Sequence, residues 1–136
     1  MKSHAPTGAR NDRGVSLTLF VMLSFAALIL IAGLVIDGGQ KITATRRAES
    51  VAAAAVRAGT DAGSTASLGG QDPDARAVRS ARAVLRDSPG VTGTVAVIDG
   101  RVVVTTEVRS ATIFLSVIGI SSLVGTGLAE GELKGP

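Results

Sequence analysis

The sequence predicts an α+β protein: a long N-terminal transmembrane helix followed by a small head that combines a helix with a three-stranded antiparallel sheet. Three observations point there. Val15 to Ile36 is a run of 22 residues without a charge. Asp72-Pro73-Asp74 opens a stretch in which apolar residues recur at helical spacing. Asp99-Gly100 divides two β-branched runs between Gly93 and Arg109.

As a helix the uncharged run VSLTLFVMLSFAALILIAGLVI rises about 33 Å, enough for a hydrocarbon core of roughly 30 Å. It is apolar on every side, unlike a helix on the surface of a soluble protein. A secretory signal has a shorter apolar stretch and a small-x-small cleavage site, which Asp37-Gly38-Gly39-Gln40 does not offer. A retained anchor is therefore expected rather than a removed signal. Residues 1–14 read as a cytoplasmic tail, where His4, the one histidine, has no partner for a metal role. Lys2, Arg10 and Arg13 before the run are nearly balanced by Lys41, Arg46 and Arg47 after it. The short tail, with arginines next to the run, favours a cytoplasmic N-terminus, because a long domain translocates despite its own charges. The expected location is the cell membrane, single-pass, with the C-terminal domain extracytoplasmic.

Residues 37–60 read as a helix continuing from the membrane, or bending at Gly38-Gly39, since each glycine costs about 1 kcal/mol in a helix interior. Ala48, Val51, Ala52, Ala55, Val56 and Gly59 recur at steps of three and four. Such a stripe of small residues admits close approach, either by the chain's own domain or by a neighbour in an assembly. Residues 61–136 form the head. Thr60 to Gln71, rich in Gly, Ser, Thr and Ala, reads as a loop. Asp72 then caps a helix with Pro73 at its first position. Ala75, Val78, Ala81 and Leu85 form its apolar stripe; Arg76, Arg79, Arg82 and Arg86 face solvent or pair with Asp72 and Asp74. Ser88-Pro89-Gly90 ends it.

Asp99-Gly100 is a strong hairpin signal, with strands at Thr94–Ile98 and Arg101–Val108. Val102, Val104, Thr106 and Val108 share one face; Val103, Thr105 and Glu107 share the other. Ala111 to Ile120 is uncharged but too short to span a bilayer, so it reads as a short helix packed on the sheet and ended by Gly119. Ser121 to Leu133 alternates well enough for a third strand.

Composition narrows function. Hydrophobic residues make up 46% of the chain and aromatic ones 2%, with no Trp, Tyr or Cys. Of Phe20, Phe25 and Phe114, the first two lie in the apolar run. The head must build its core from Ala, Val, Leu and Ile, which bury little area each. Beyond Ile36, eleven basic and ten acidic side chains make a mixed surface, so no nucleic-acid partner is expected. With no nucleophile motif, phosphate loop or metal-ligand cluster, no catalytic residue, cofactor or metal site is expected either.

The order of parts resembles a known family. Arg13-Gly14 opens the apolar run, which closes on Gly33-Leu34-Val35-Ile36-Asp37-Gly38-Gly39. A basic, Ala-rich stretch follows through Arg46-Arg47-Ala48-Glu49 to Gly59. Thr112-Ile113-Phe114-Leu115 and Gly119-Ile120 precede a final small-residue strand. The chain resembles the TadE/TadG-like proteins of the tight-adherence (Flp) pilus-assembly system, in their small actinobacterial form. The resemblance implies a pilin-like fold and a structural role in building or anchoring a pilus or secretion machine. It makes Gly14 a processing position, yet the fifth residue beyond it is Leu19 rather than the Glu of prepilin-type members. The uncleaved, membrane-retained branch fits better. It also makes Asp37 a helix-end assembly contact with a basic partner, the alternative being an interfacial Asp that stays hydrated.

The expected function is thus a structural membrane protein of such an assembly, a minor pseudopilin-like or anchoring factor. Its partners would be membrane lipid and other pilus-assembly membrane proteins or pilins, with oligomers possible. Ala26 and Gly33, seven residues apart, offer a helix-packing face. The alternative is a membrane-tethered extracytoplasmic binding or sensor module.

Overall fold

A computed structural model describes residues 12–133. Most of the tail expected at residues 1–14, and residues 134–136, lie outside the described residues. Asp12 to Gly14 belong to the first helix.

That helix, α1 (Asp12–Leu68), is 57 residues long, or about 85 Å at a rise of ~1.5 Å per residue. It is followed by α2 (Pro73–Arg86), β1 (Val91–Ile98), β2 (Arg101–Ala111), a single 3-10 turn (Leu115–Ile118) and β3 (Ser122–Glu132). The three strands form one antiparallel sheet in the order β1-β2-β3. The architecture is the expected α+β one.

The first part of α1 touches almost nothing. From Val15 to Val35 its large apolar side chains are exposed, and among the described residues this helix alone is long and apolar enough to cross a membrane. A single-pass membrane protein accounts for such a surface, because lipid replaces the missing protein partners.

Gly38-Gly39 does not interrupt the helix, and contacts made by Asp37 and Gln40 (below) hold its flanks. Nor does the expected loop at Thr60–Gln71 form: α1 runs on to Leu68 and only Gly69-Gly70 turns, with Gly70 at φ +68°. Composition gave the wrong answer because tertiary packing outweighs propensity. Gly63 and Ala66 are buried, and Gly63 packs closely on Ala77 and Leu133. The hydroxyls of Thr60, Thr65 and Ser67 bond back to carbonyls of their own helix, so they are satisfied without leaving it.

The second part of α1 is the core. Ala44, Ala48, Ala52 and Ala55 are buried against the inner face of the sheet, on which Val102, Val104, Thr106 and Val108 alternate as expected. The stripe of small residues packs on the chain's own domain. On β3 the inward positions include Gly125, Gly127, Ala129 and Gly131. A Cβ on Gly125 would collide with the backbone of Ala44 and Thr45, and one on Gly127 with that of Ala48 and Glu49. Helix and strand therefore meet nearly backbone to backbone. Thr106 adds a buried hydrogen bond there, its Oγ1 donating to the Ala48 carbonyl at 2.8 Å.

α2 closes the core from the side. Asp72 accepts from the N–H groups of Asp74 and Ala75, capping the helix as expected. Its buried residues are Ala77 and Ala81, with Val78, Val84 and Leu85 packed beside them. Ala75 is exposed, so the stripe is rotated from the expected one toward α1. The four arginines are exposed, and the described ion pairs are Arg101 with Glu130 and Glu132, not with Asp72 or Asp74. The hairpin turns at Asp99-Gly100, both at positive φ (49° and 73°) as a type I′ turn requires. β1 starts earlier and β2 ends later than expected, because β2 pairs along its whole length with β3, out to Ala111 opposite Ser122.

Gly127→Ala forces a methyl group against helix backbone, which cannot yield as a side chain tip can. The variant is expected to lose about 1–3 kcal/mol, read as a lower melting temperature by circular dichroism in detergent, while Thr126→Ala on the open face loses far less. Thr106→Val keeps the shape but removes one buried donor and should cost about 1 kcal/mol in the same assay.

Candidate functional site

Helix residues spaced by three or four lie on one side, so Gly33, Asp37 and Gln40 form a short column on α1. This column is where the head meets the apolar segment. The segment between β2 and β3 packs against it, and each of the three residues makes a different contact.

Gly33 is buried beneath Phe114, the one aromatic residue of the head; a Cβ on Gly33 would stand 2.5 Å from the ring's Cγ. Gln40, one turn beyond Asp37, accepts at Oε1 from the Ser110 hydroxyl at 3.0 Å. Between them the Asp37 side chain is fully buried. Its Oδ1 accepts from the Ile113 N–H at 2.9 Å, and its Oδ2 from the N–H groups of Phe114 at 3.1 Å and Leu115 at 2.7 Å. These donors sit at the start of the 3-10 turn, where backbone N–H groups lack partners within the turn itself. Asp37 thus caps a turn 76 to 78 residues further along the chain.

The same bonds set its charge state. The Ile113 N–H contributes most to holding the carboxyl pKa below its usual 3.8; burial works in the opposite direction, and the Leu115 and Phe114 N–H groups add to the lowering. Asp37 is therefore ionised, and its charge is spread over three backbone dipoles.

Thr112 closes the neck of the segment: its N–H donates to Ser121 and its hydroxyl to Ile120. Gly119 ends the 3-10 turn in the left-handed region, φ 91°. The expected short helix is thus one 3-10 turn, and it lies against α1 rather than on the sheet. Beside the column a groove is lined by Ile36, Gln40, Thr43, Arg47, Arg109 and Ser110.

The structure separates the residues singled out from sequence. Asp37 and Gly33 come together, but both face the chain's own Phe114 segment. Asp37 is buried, and its carboxylate faces three N–H groups of this segment rather than the outer surface of α1, because a buried carboxylate needs donors. Ala26 stays exposed two turns away on the bare part of α1. Gly14 is exposed near the start of α1, its carbonyl accepting from Thr18. Sequence reasoning missed the pairing of Asp37 with Ile113–Leu115. The usable signal was a ten-residue uncharged segment too short to span a membrane, which needs an apolar neighbour. Among the described residues no three His, Cys, Asp or Glu gather where a metal could bind. No family model, curated protein or solved structure matches this chain.

The Asp37 junction yields a pH prediction. A carboxyl whose folded pKa lies below its unfolded value contributes stability above the unfolded value, and that contribution disappears as pH falls through the folded one. The melting temperature of the native chain should fall on acidification below about pH 5, whereas that of Asp37→Asn starts lower and changes less. Thermal melts of both chains across this range check it through their difference, which removes the titration of the other carboxylates.

Proposed function

We propose that this protein is a structural component of a Flp/Tad-type pilus or a related secretion assembly, acting as a minor pseudopilin-like subunit or a membrane anchor. The N-terminus lies in the cytoplasm and the head outside. The carrying observation is the double use of α1: one uninterrupted helix is bare and apolar over its first part and forms the head's core over its second. A helix built this way ties an extracytoplasmic head rigidly to the bilayer, which is what a subunit bearing load through its anchor requires. The resemblance of the Arg13–Gly59 and Thr112–Ile120 patterns to TadE/TadG-like proteins supports the same reading.

In this reading the protein is not an enzyme and uses no cofactor; its partners are lipid and other membrane helices. Ala26 lies on the bare part of α1, where a neighbouring helix has access to it. Leu19, in place of an acidic residue, favours retention of the segment before Gly14.

Three measurements test the proposal. The protein recovered from membranes should have the mass of the chain uncut at Gly14; a new N-terminus at Val15 overturns the fixed anchor in favour of a processed pilin. Because the chain has no cysteine, Ala26→Cys provides a single thiol. It should cross-link in membranes to itself or to another assembly component, whereas Leu28→Cys, on the other side of the helix, should not. Deletion of the gene should abolish surface pili, and normal pili in the deletion strain would remove the assembly role.

A further inference from the structure

We propose that Ile113–Ile120 is a second membrane-contact element, which seats its apolar side chains in the interfacial lipid beside the end of α1. The inference rests on the reading that α1 spans a membrane, and adds where the head stands relative to that membrane.

The first argument is exposure. Ile113 is 58% exposed, Val117 86%, Ile118 69% and Ile120 44%, although a head this poor in large apolar residues has few to leave outside its core. No charged residue occurs between Arg109 and Glu130. An isolated exposed Leu or Val needs no explanation, but four within eight residues form a patch.

The second is continuity. Phe114 sits on Gly33, inside the uncharged run. Val15 to Gly33 rises about 27 Å, which puts Gly33 near the edge of a hydrocarbon layer of roughly 30 Å that starts at Val15. The patch is thus joined to the bare surface of α1 at the depth where hydrocarbon gives way to headgroups.

The third is backbone satisfaction. Irregular backbone enters an apolar medium only if its polar groups are paired. Here the N–H groups of Ile113, Phe114 and Leu115 donate to Asp37, and those of Thr112, Val117, Gly119 and Ile120 donate to carbonyls of the same segment and its neck. That pairs seven of the nine N–H groups from Thr112 to Ile120, more than an irregular segment in water needs.

The chain has no Trp or Tyr, so one introduced Trp reports on its own position. Val117→Trp, Leu28→Trp and Leu128→Trp are made in the full chain and reconstituted in vesicles of phosphatidylcholine and phosphatidylglycerol. Part of the phosphatidylcholine is brominated, high on its acyl chains in one preparation and deep in them in a second. Leu128 is an exposed apolar residue on the open face of the sheet, 63% accessible, and controls for the affinity of Trp itself for interfaces. The expected result is a blue-shifted Val117→Trp emission, quenched by the brominated lipid several-fold more than that of Leu128→Trp. If Val117→Trp is quenched no more than Leu128→Trp while Leu28→Trp is quenched by lipid brominated deep in its chains, the proposal is overturned. That holds whether aqueous iodide reaches the residue or a second copy covers it. If Leu28→Trp also escapes lipid quenching, the membrane-spanning reading falls and the inference falls with it.

Discussion

Everything in the head depends on how closely α1 approaches β3. A domain with one aromatic residue cannot fill a wide gap between helix and sheet, so the gap itself has to be narrow. Alanines on the helix and glycines at Gly125, Gly127 and Gly131 remove the side chains that would otherwise hold the layers apart. At Gly125 and Gly127 what remains is contact between two backbones, in which many weak dispersion contacts replace a few large apolar side chains. Thr106 is compatible with this packing because its hydroxyl finds the Ala48 carbonyl rather than being left unpaired. Such a seam tolerates little change: a leucine core can repack around an altered methyl group, but two backbones in contact have nothing soft to move.

A narrow seam along a single helix also needs a stop at its membrane end, where α1 leaves the head and becomes bare. The Gly33–Asp37–Gln40 column provides it. Phe114 covers the glycine, Asp37 gathers three N–H groups, and Ser110 reaches Gln40. An unpaired carboxylate at the edge of an apolar segment would draw water toward it. Held by the 3-10 turn, it instead fixes the β2–β3 connection to the helix, and with it the rotation of the sheet about α1.

Much of this was legible in the sequence, because the signals were local. The uncharged run, the Asp72-Pro73 cap, the Asp99-Gly100 hairpin and the alternation from Val102 to Val108 each need only near neighbours to be interpreted. Where the reading failed, the deciding partner was distant. Thr60–Leu68 looked like a loop by composition and is helical because Gly63 packs on Ala77 and Leu133 and Ala66 is buried. Ala75 fitted the stripe of α2 by spacing, but the position of α1 turned Ala77 inward instead. Asp37 drew attention for its place at the end of the run, yet nothing near it in sequence indicates that its partners lie more than seventy residues away.

The continuity of α1 joins the anchor to the head. Were Gly38-Gly39 a hinge, the anchor and the head would be separate objects, and the depth of the apolar segment would say nothing about the head. Contacts at positions 33, 37 and 40 bracket those glycines on the same helix and tie both sides to one connection, Ser110 to Leu115. Bending there would have to break the Asp37 bonds or the Ser110–Gln40 bond and expose a buried carboxylate. The head is therefore held to the anchor at a fixed height and rotation, and the residues next to that clamp, rather than the far end of the sheet, are those that meet whatever surrounds the emerging helix.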